Sequence, residues 1–203
     1  MGYESYNDYE LVYLVREDNS EANEILFNKY APIITSYSNQ YSKYIKNIGL
    51  EVNDLIQEGM LGLNNAISTF NEDKDVLFYT YAITCIKRTI ITAIVKANRQ
   101  KNRPLNNSIS FENDLDLSEN DKLLYDNSYN PEYIIENNEN IEDLNKIARK
   151  VLSELELQVF DLRINNFSYN EIAILLSKSP KAIDSTIQRI KLKLKKALDE
   201  KNN

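Results

Sequence analysis

An all-α chain, two helical domains joined by an acidic linker, is what this sequence predicts, and three observations carry it. Apolar residues recur at three- and four-residue spacing through both ends of the chain. Only four Gly and four Pro occur in 203 residues, so helix breakers are few. Between the two periodic blocks, Glu112–Asp143 carries eleven acids against Lys122 alone. Composition thus divides the chain into 1–104, 105–140 and 141–203.

The first helix is expected over Tyr6–Glu17, where Leu11, Leu14 and Val15 share a face; Asn19-Ser20 ends it and can cap the next. A second stripe runs through Ala22, Ile25, Leu26, Phe27, Tyr30, Ile33, Ile34, Tyr37 and Tyr41, with Pro32 predicting a kink or a boundary. Eight of the fourteen tyrosines precede Gly49, and their expected place is the rim of a helical core. Gly49 suits a helix C-cap.

The stretch Asp54-Leu-Ile-Gln-Glu-Gly-Met-Leu-Gly-Leu-Asn-Asn-Ala-Ile67 brings Leu55, Ile56, Met60, Leu63 and Ile67 on or near one face. Gly59 and Gly62 stand inside this helix, where each costs ~1 kcal/mol relative to Ala. Two readings account for them: close packing of a neighbouring helix, or an external partner pressed against this surface.

After a polar turn at Asn71–Asp75, a long helix begins near Phe78. Acids outnumber bases 31 to 24 overall, yet not one Asp or Glu lies between Val76 and Phe111. That window opens with Phe78, Tyr79 and Tyr81 and holds Lys87, Arg88, Lys96, Arg99, Lys101 and Arg103. On a helical wheel Thr84, Arg88, Thr92, Val95, Lys96, Arg99 and Arg103 share one arc, opposite Ala82, Ile86, Ile90, Ala93, Ile94 and Ala97. A merely solvated basic face normally includes intrahelical Glu–Lys pairs, and no acid is available here. Cations interleaved with aromatic rings suit phosphates and unstacked bases.

Pro104 is expected to stop this helix, and the Asn- and Ser-rich acidic stretch beyond it reads as a linker. The second domain opens near Ile141 with Leu144, Ile147, Ala148, Val151 and Leu152 on one stripe. Ser153-x-x-Glu156 and Ser168-x-x-Glu171 are capping boxes for the next two helices. Ser177-Lys178-Ser179-Pro180 then turns into Lys181–Leu198, with Pro180 in the first helical turn. A short helix, a tight turn and a helix with a polar, basic start form a helix-turn-helix pattern, packed inside by Ala173, Ile183 and Ile187.

Composition narrows the chemistry. There is no His and Cys85 is the single Cys, which excludes His-based triads, His-ligated metals, Cys-rich zinc sites and an intramolecular disulfide. No paired acids sit in a catalytic setting, so neither an enzyme nor a cofactor or metal is expected. No apolar run approaches the ~20 residues of a membrane span, no signal peptide is evident, and Tyr6 stands where N-myristoylation requires Ser or Thr. A cytoplasmic protein without membrane contact is expected. The net charge of −7 argues against coating nucleic acid unaided, but segregation of the bases leaves binding open in a suitable context.

On these residues the chain resembles bacterial RNA polymerase sigma factors of the sigma-70 family over nearly its whole length. The Asp54–Ile67 stretch resembles the family's core-polymerase-binding signature, and Phe78-x-Thr-Tyr-Ala82 with Ile86-Lys87 its promoter-melting segment. Ile90–Ile94, Arg99-Gln-Lys101, Pro104-Leu-Asn106 and the helix-turn-helix Ser168–Leu194 are most like those of sporulation sigma-H factors.

The resemblance implies an alternative sigma factor that binds core RNA polymerase, directs it to −10 and −35 promoter elements and helps open DNA. Asp54, Leu55, Gln57, Glu58, Gly59, Gly62 and Leu63 would dock on a coiled coil of the largest polymerase subunit, and the second domain on the flap of the second-largest. Phe78, Tyr79 and Tyr81 would hold melted bases, and Arg88, Thr92, Lys96 and Arg99 would face −10 DNA. Lys178, Ser179, Lys181, Ser185, Gln188 and Arg189 would enter the −35 major groove, with Ser179, Lys181 and Gln188 suited to base edges and Lys178, Arg189 and Lys191 to phosphates.

Departures from the family sharpen these expectations. Thr84-Cys85 stand where housekeeping members carry paired tryptophans, so weaker melting and stricter promoter choice are implied. Asn64 replaces a larger, less polar residue of the core-binding signature, and Ser177 a glycine common at the helix-turn-helix bend, which is expected to differ accordingly. The acidic linker reads either as a solvated spacer or as a nucleic-acid mimic in a basic polymerase channel. A helix-turn-helix regulator acting without the polymerase is the alternative, and it leaves residues 54–67 unused. An anti-sigma partner fits this class of protein, although no residue identifies one.

Overall fold

In a computed structural model the chain is described over residues 7–46, 48–74, 76–102 and 144–201. It divides into two compact units, Met1–Ser110 and Phe111–Asn203. Among the described residues every regular element is a helix. The linker 105–140, the stop at Pro104 and the domain edges expected there lie outside the described residues.

The first unit contains α1 (Asp8–Arg16), α2 (Ser20–Tyr41) with a 3-10 turn over Ser42–Tyr44, α3 (Val52–Thr69) and α4 (Phe78–Asn102). Asn7 and Glu10 cap α1 reciprocally, each backbone amide donating to the other's side chain at 3.0 Å. The chain then turns through Asp18, whose φ of 59° is left-handed, and Asn19 caps α2 by accepting from the Ala22 amide at 2.9 Å. No boundary forms at Pro32, and α2 continues through it. Pro32 and Asn28, four residues earlier, are both exposed, so water can satisfy the carbonyl that loses its amide partner.

Tyr30 and Tyr41 are core residues rather than rim residues, at 0% and 1% exposure. The buried Tyr30 hydroxyl donates to Asp8 Oδ2 at 2.7 Å, and Lys29 Nζ lies 2.6 Å from Asp8 Oδ1. These bonds fasten α1 to α2. At the other end of α1, Arg16 donates from Nε to the Ile67 carbonyl (2.8 Å) and from Nη2 to the Phe70 carbonyl (2.6 Å). It thereby satisfies carbonyls that the end of α3 leaves without a helical partner.

The two glycines of α3 face inward. A Cβ on Gly62 would lie 2.8 Å from Ile86 Cα and 3.0 Å from the Cys85 carbonyl, and one on Gly59 would lie 2.6 Å from Ile34 Cγ2. Close packing against α4 and α2 therefore explains both glycines, and the external-partner reading is set aside for them. Residues Phe78–Arg99 of α4, at mean hydropathy 1.2, are long and apolar enough to cross a membrane by composition. Their apolar side is committed to the core, with Ala82, Ile86, Ile90 and Ile94 each at 0% exposure.

The second unit contains α5 (144–151), α6 (Glu154–Ile164), α7 (Tyr169–Leu175) and α8 (Pro180–Lys201). Both expected capping boxes form: the Ser153 amide donates to Glu156 Oε2 and the Ser168 amide to Glu171 Oε2, each at 2.8 Å. Helix α6 closes through Asn166 (φ 67°) and α7 through Ser177 (φ 52°), with the Lys178 amide returning to the Ala173 carbonyl at 2.9 Å. Ser177 thus adopts the left-handed conformation for which glycine is usual, at a cost of about 1–2 kcal/mol. The turn thus closes in a left-handed conformation with Ser rather than Gly at its bend. Ala173, Ile183 and Ile187 are buried as expected. Lys193 Nζ lies 2.6 Å from the buried Glu156 carboxylate and ties α8 to α6.

Candidate nucleic-acid interface

At the junction of α3 and α4 the chain gathers its aromatic rings. Phe70, the residue ending α3, packs edge-on against Phe78 at 5.2 Å and lies 5.7 Å from Tyr81 and 5.8 Å from Tyr9. Tyr30 meets Phe78 at 5.9 Å and Tyr79 at 6.1 Å. Phe78 is 0% exposed, so it belongs to the core and is withdrawn from the set that could hold a base. Tyr79 and Tyr81 are half-buried, each with one side supported by the Phe70–Phe78–Tyr30 cluster. The Tyr81 hydroxyl and Thr69 Oγ1 are hydrogen-bonded at 2.9 Å. The geometry is a rigid shelf carrying two amphipathic rings.

Beyond this corner, Thr84, Thr92, Lys96 and Arg99 are exposed on α4, and Arg88 is half-buried beside them. Val95, expected on the same arc, is only 6% exposed and marks the edge of the core. Thr84, Thr89 and Thr92 each donate to the carbonyl four residues earlier, at 2.9, 2.9 and 2.8 Å, which holds their hydroxyls against the helix. Lys87 points away from this face. Its Nζ sits 4.4 Å from the Tyr37 ring centroid, and burial lowers its pKa from the ordinary lysine value. Cys85 is half-buried, with its thiol pKa pushed up by burial against an opposing hydrogen bond from Tyr81. Lys101 and Arg103 lie outside the residues with described side chains.

The docking residues expected on α3 separate into two groups. Leu55 and Leu63 are at 0% exposure and Gly59 and Gly62 are buried, so these four face the core. Gln57 is exposed, while Asp54 and Glu58 are half-buried. Asp54 also serves the helix itself, since its Oδ2 accepts from the Glu51 amide at 2.8 Å and caps α3. Leu61, at 55% exposure, was missed; it lies one turn beyond Gln57 and one turn before Asn64 and Asn65. An apolar residue out of phase with the stripe Leu55, Ile56, Met60, Leu63 and Ile67 was the available signal.

In the second unit Lys178, Ser179, Lys181, Ser185, Gln188 and Arg189 are all exposed, on the α7–α8 turn and the first turns of α8. Ser179 accepts from the Ala182 amide at 3.2 Å and so caps α8. Arg189 Nη2 donates to Thr186 Oγ1 at 3.0 Å, which directs the guanidinium along the helix. The spread along α8 suits a helix lying in a groove, its first turns nearest the bases.

Among described residues no group of His, Cys, Asp or Glu is arranged to hold a metal. Comparison with known proteins gives matches across both units. The family pattern described as Sigma-70 region 2 matches residues 26–100, and that described as Sigma-70, region 4 matches residues 150–194. The chain is 36% identical to the RNA polymerase sigma-H factor of Bacillus licheniformis over 197 residues, covering 95% of this chain and 86% of that protein. Identity to the RNA polymerase sigma-H factor of Bacillus subtilis is also 36%, covering 95% and 88%. The crystal structure of the sigma-H factor from Fusobacterium nucleatum aligns at 35% identity over 74% of this chain and 97% of that one, with a TM-score of 0.32. The chain belongs to the sigma-70 family of RNA polymerase sigma factors, with sigma-H factors among its relatives.

Proposed function

We propose that this chain is an alternative sigma factor, a non-catalytic subunit that gives core RNA polymerase its promoter specificity and helps open DNA. The observation that carries the reading is the occurrence of both sigma-70 regions, in order, within a likeness spanning 95% of the chain. Charge segregation supports it. An acidic chain keeps α4 free of acids and places exposed cations along the start of α8, in two separate units.

In this reading the exposed face of α3, with Gln57, Leu61 and Asn64 and flanking Asp54 and Glu58, docks on a coiled coil of the largest polymerase subunit. Gly59, Gly62, Leu55 and Leu63 shape that face from within. Tyr79 and Tyr81 stack on melted bases of one −10 strand, each stack contributing ~1–3 kcal/mol. Phe78 and Phe70 hold the two tyrosines in place. Arg88, Thr92, Lys96 and Arg99 face the upstream edge of the −10 element. Lys178, Ser179, Lys181, Ser185, Gln188 and Arg189 serve the −35 major groove, and the second unit engages the flap of the second-largest subunit.

Purified core polymerase assayed on promoter DNA with and without this chain tests the proposal. Promoter-specific transcripts only in its presence are expected. Stable association with core and no initiation, or tight sequence-specific DNA binding by the free chain alone, would overturn it. Substitution of Thr92 or Arg88 should shift preference at the upstream −10 edge by ~1–3 kcal/mol. A uniform loss over all promoters would reduce these two residues to phosphate contacts.

A further inference from the structure

One acid stands in the middle of the cationic helix. From Ile172 to Leu198 the only Asp or Glu is Asp184, in a run that carries Lys178, Lys181, Arg189, Lys191, Lys193 and two further lysines. Asp184 is exposed in the second turn of α8. Around the helix axis it lies about 60° from Lys181 and about 40° from Gln188, at the border of the face that carries the proposed −35 contacts. Local structure gives this carboxylate no task. The first turn of α8 holds no acid, and Asp184 lies beyond it, where attraction to the helix N-terminus has faded. Ser179 is the residue that caps the helix. Lys181, three residues earlier, forms no ion pair with Asp184, and among the described residues its carboxylate has no hydrogen-bond partner.

An exposed acid on a face that enters DNA weakens attraction to phosphate, a cost that a contact with a base edge offsets. The chemistry of a carboxylate restricts which base that is, because it only accepts hydrogen bonds. In the major groove guanine presents the acceptors N7 and O6, and thymine presents O4. Adenine offers its N6 amino group next to the N7 acceptor. Cytosine offers the N4 amino group with no acceptor beside it, so it alone attracts a carboxylate without also repelling it.

We propose that Asp184 is a specificity-determining residue of the second unit, accepting a hydrogen bond from the N4 amino group of one cytosine in the −35 element and rejecting guanine and thymine at that position. The inference rests on the function proposed above and deepens it. Lys178 and Arg189 supply attraction to phosphate, and Asp184 gives up part of that attraction for discrimination between bases.

The test uses holoenzyme assembled from core polymerase and full-length chain, titrated against promoter DNAs that carry each base pair in turn at every −35 position. Wild-type, D184A and D184N chains are compared; Asp184 is exposed, so neither variant removes a contact within the fold. Wild type is expected to favour a C·G pair at one position by about fivefold or more. D184A should lose that preference at that position alone, keep its order of preference elsewhere and bind core as wild type does. On the other bases at that position it should bind at least as tightly as wild type, since a charge that repels phosphate is gone. D184N should move the preference there toward adenine, with which an Asn side chain pairs. An equal change over all sequences, with every preference intact, overturns the proposal and makes Asp184 a solvated charge. So does a lost preference centred on an A·T pair, or a loss at every position, which would mark a structural role. Failure of the parent reading is separate, since wild-type holoenzyme would then give no promoter-specific transcript on any of these DNAs.

Discussion

The α3–α4 pair and the α7–α8 pair each present one helix outward, but different forces position the two. In the first unit the helices approach until Gly62 leaves no room for a Cβ between itself and the Ile86 backbone. Steric fit sets the register, so the Tyr79–Tyr81 shelf is fixed to the end of α3. In the second unit no such contact is present among the described residues. Polar devices hold it instead: two capping boxes, a left-handed turn at Ser177 and the Lys193–Glu156 pair. Packing resists pH and salt, whereas caps and ion pairs respond to both.

The largest expected effect breaks the steric side of this contrast. Gly62→Ala gains up to ~1 kcal/mol of helix propensity but forces a methyl onto backbone, for a net loss of about 2 kcal/mol or more. Amide exchange should accelerate in α3 and α4 and stay unchanged in α6–α8. Gly59→Ala should cost less, because its nearest contact is the Ile34 side-chain methyl rather than backbone.

Acid should break the polar side. The Glu156 carboxyl is held down to about 2 by its hydrogen bond from Lys193, then by the Ser153 amide. A carboxyl with a folded value below its unfolded one stabilises the fold above the unfolded value, about 4.3, and the contribution is lost as pH falls toward 2. The second unit should therefore lose about 1–3 kcal/mol over that window. Glu156→Gln should flatten the dependence while lowering stability at neutral pH, as followed by α6–α8 amide exchange against pH.

Two smaller changes sharpen the comparison by stabilising one unit each. Ser177→Gly relieves a left-handed serine and should stabilise the second unit by up to ~1 kcal/mol, offset in part by greater freedom of the unfolded chain. The Ser38 hydroxyl is fully buried without a hydrogen-bond partner among the described residues. Ser38→Ala should raise the stability of the first unit by about 0.5–1 kcal/mol. Thermal unfolding of each variant measures both; a loss in either case would mean the side chain has a favourable contact in the fold.

Sequence patterning gave helix positions and local chemistry well, because both depend on neighbours three and four residues apart. The Ser153–Glu156 and Ser168–Glu171 boxes, the entry of Pro180 into α8 and the buried Ala173, Ile183 and Ile187 were legible for that reason. What a helix meets across the fold was not legible. Phe78 opens α4 with no earlier turn to assign its face, and its burial depends on Phe70 and Tyr30 from other helices. Gly59 and Gly62 looked equally suited to a neighbour or a visitor until α2 and α4 were seen against them. Arg16 escaped notice because its role, capping α3, joins residues more than fifty positions apart.

The order of helices in the first unit has a consequence for biosynthesis. Translation delivers α2 and α3 before α4, the helix apolar enough in composition to enter a membrane. By the time Phe78–Arg99 leaves the ribosome, α2 and α3, with the side-chain-free positions Gly59 and Gly62 that it packs over, have been synthesised. This long apolar helix therefore emerges after both helices that pack against its isoleucines, so the partners that take them out of water are already synthesised when it appears.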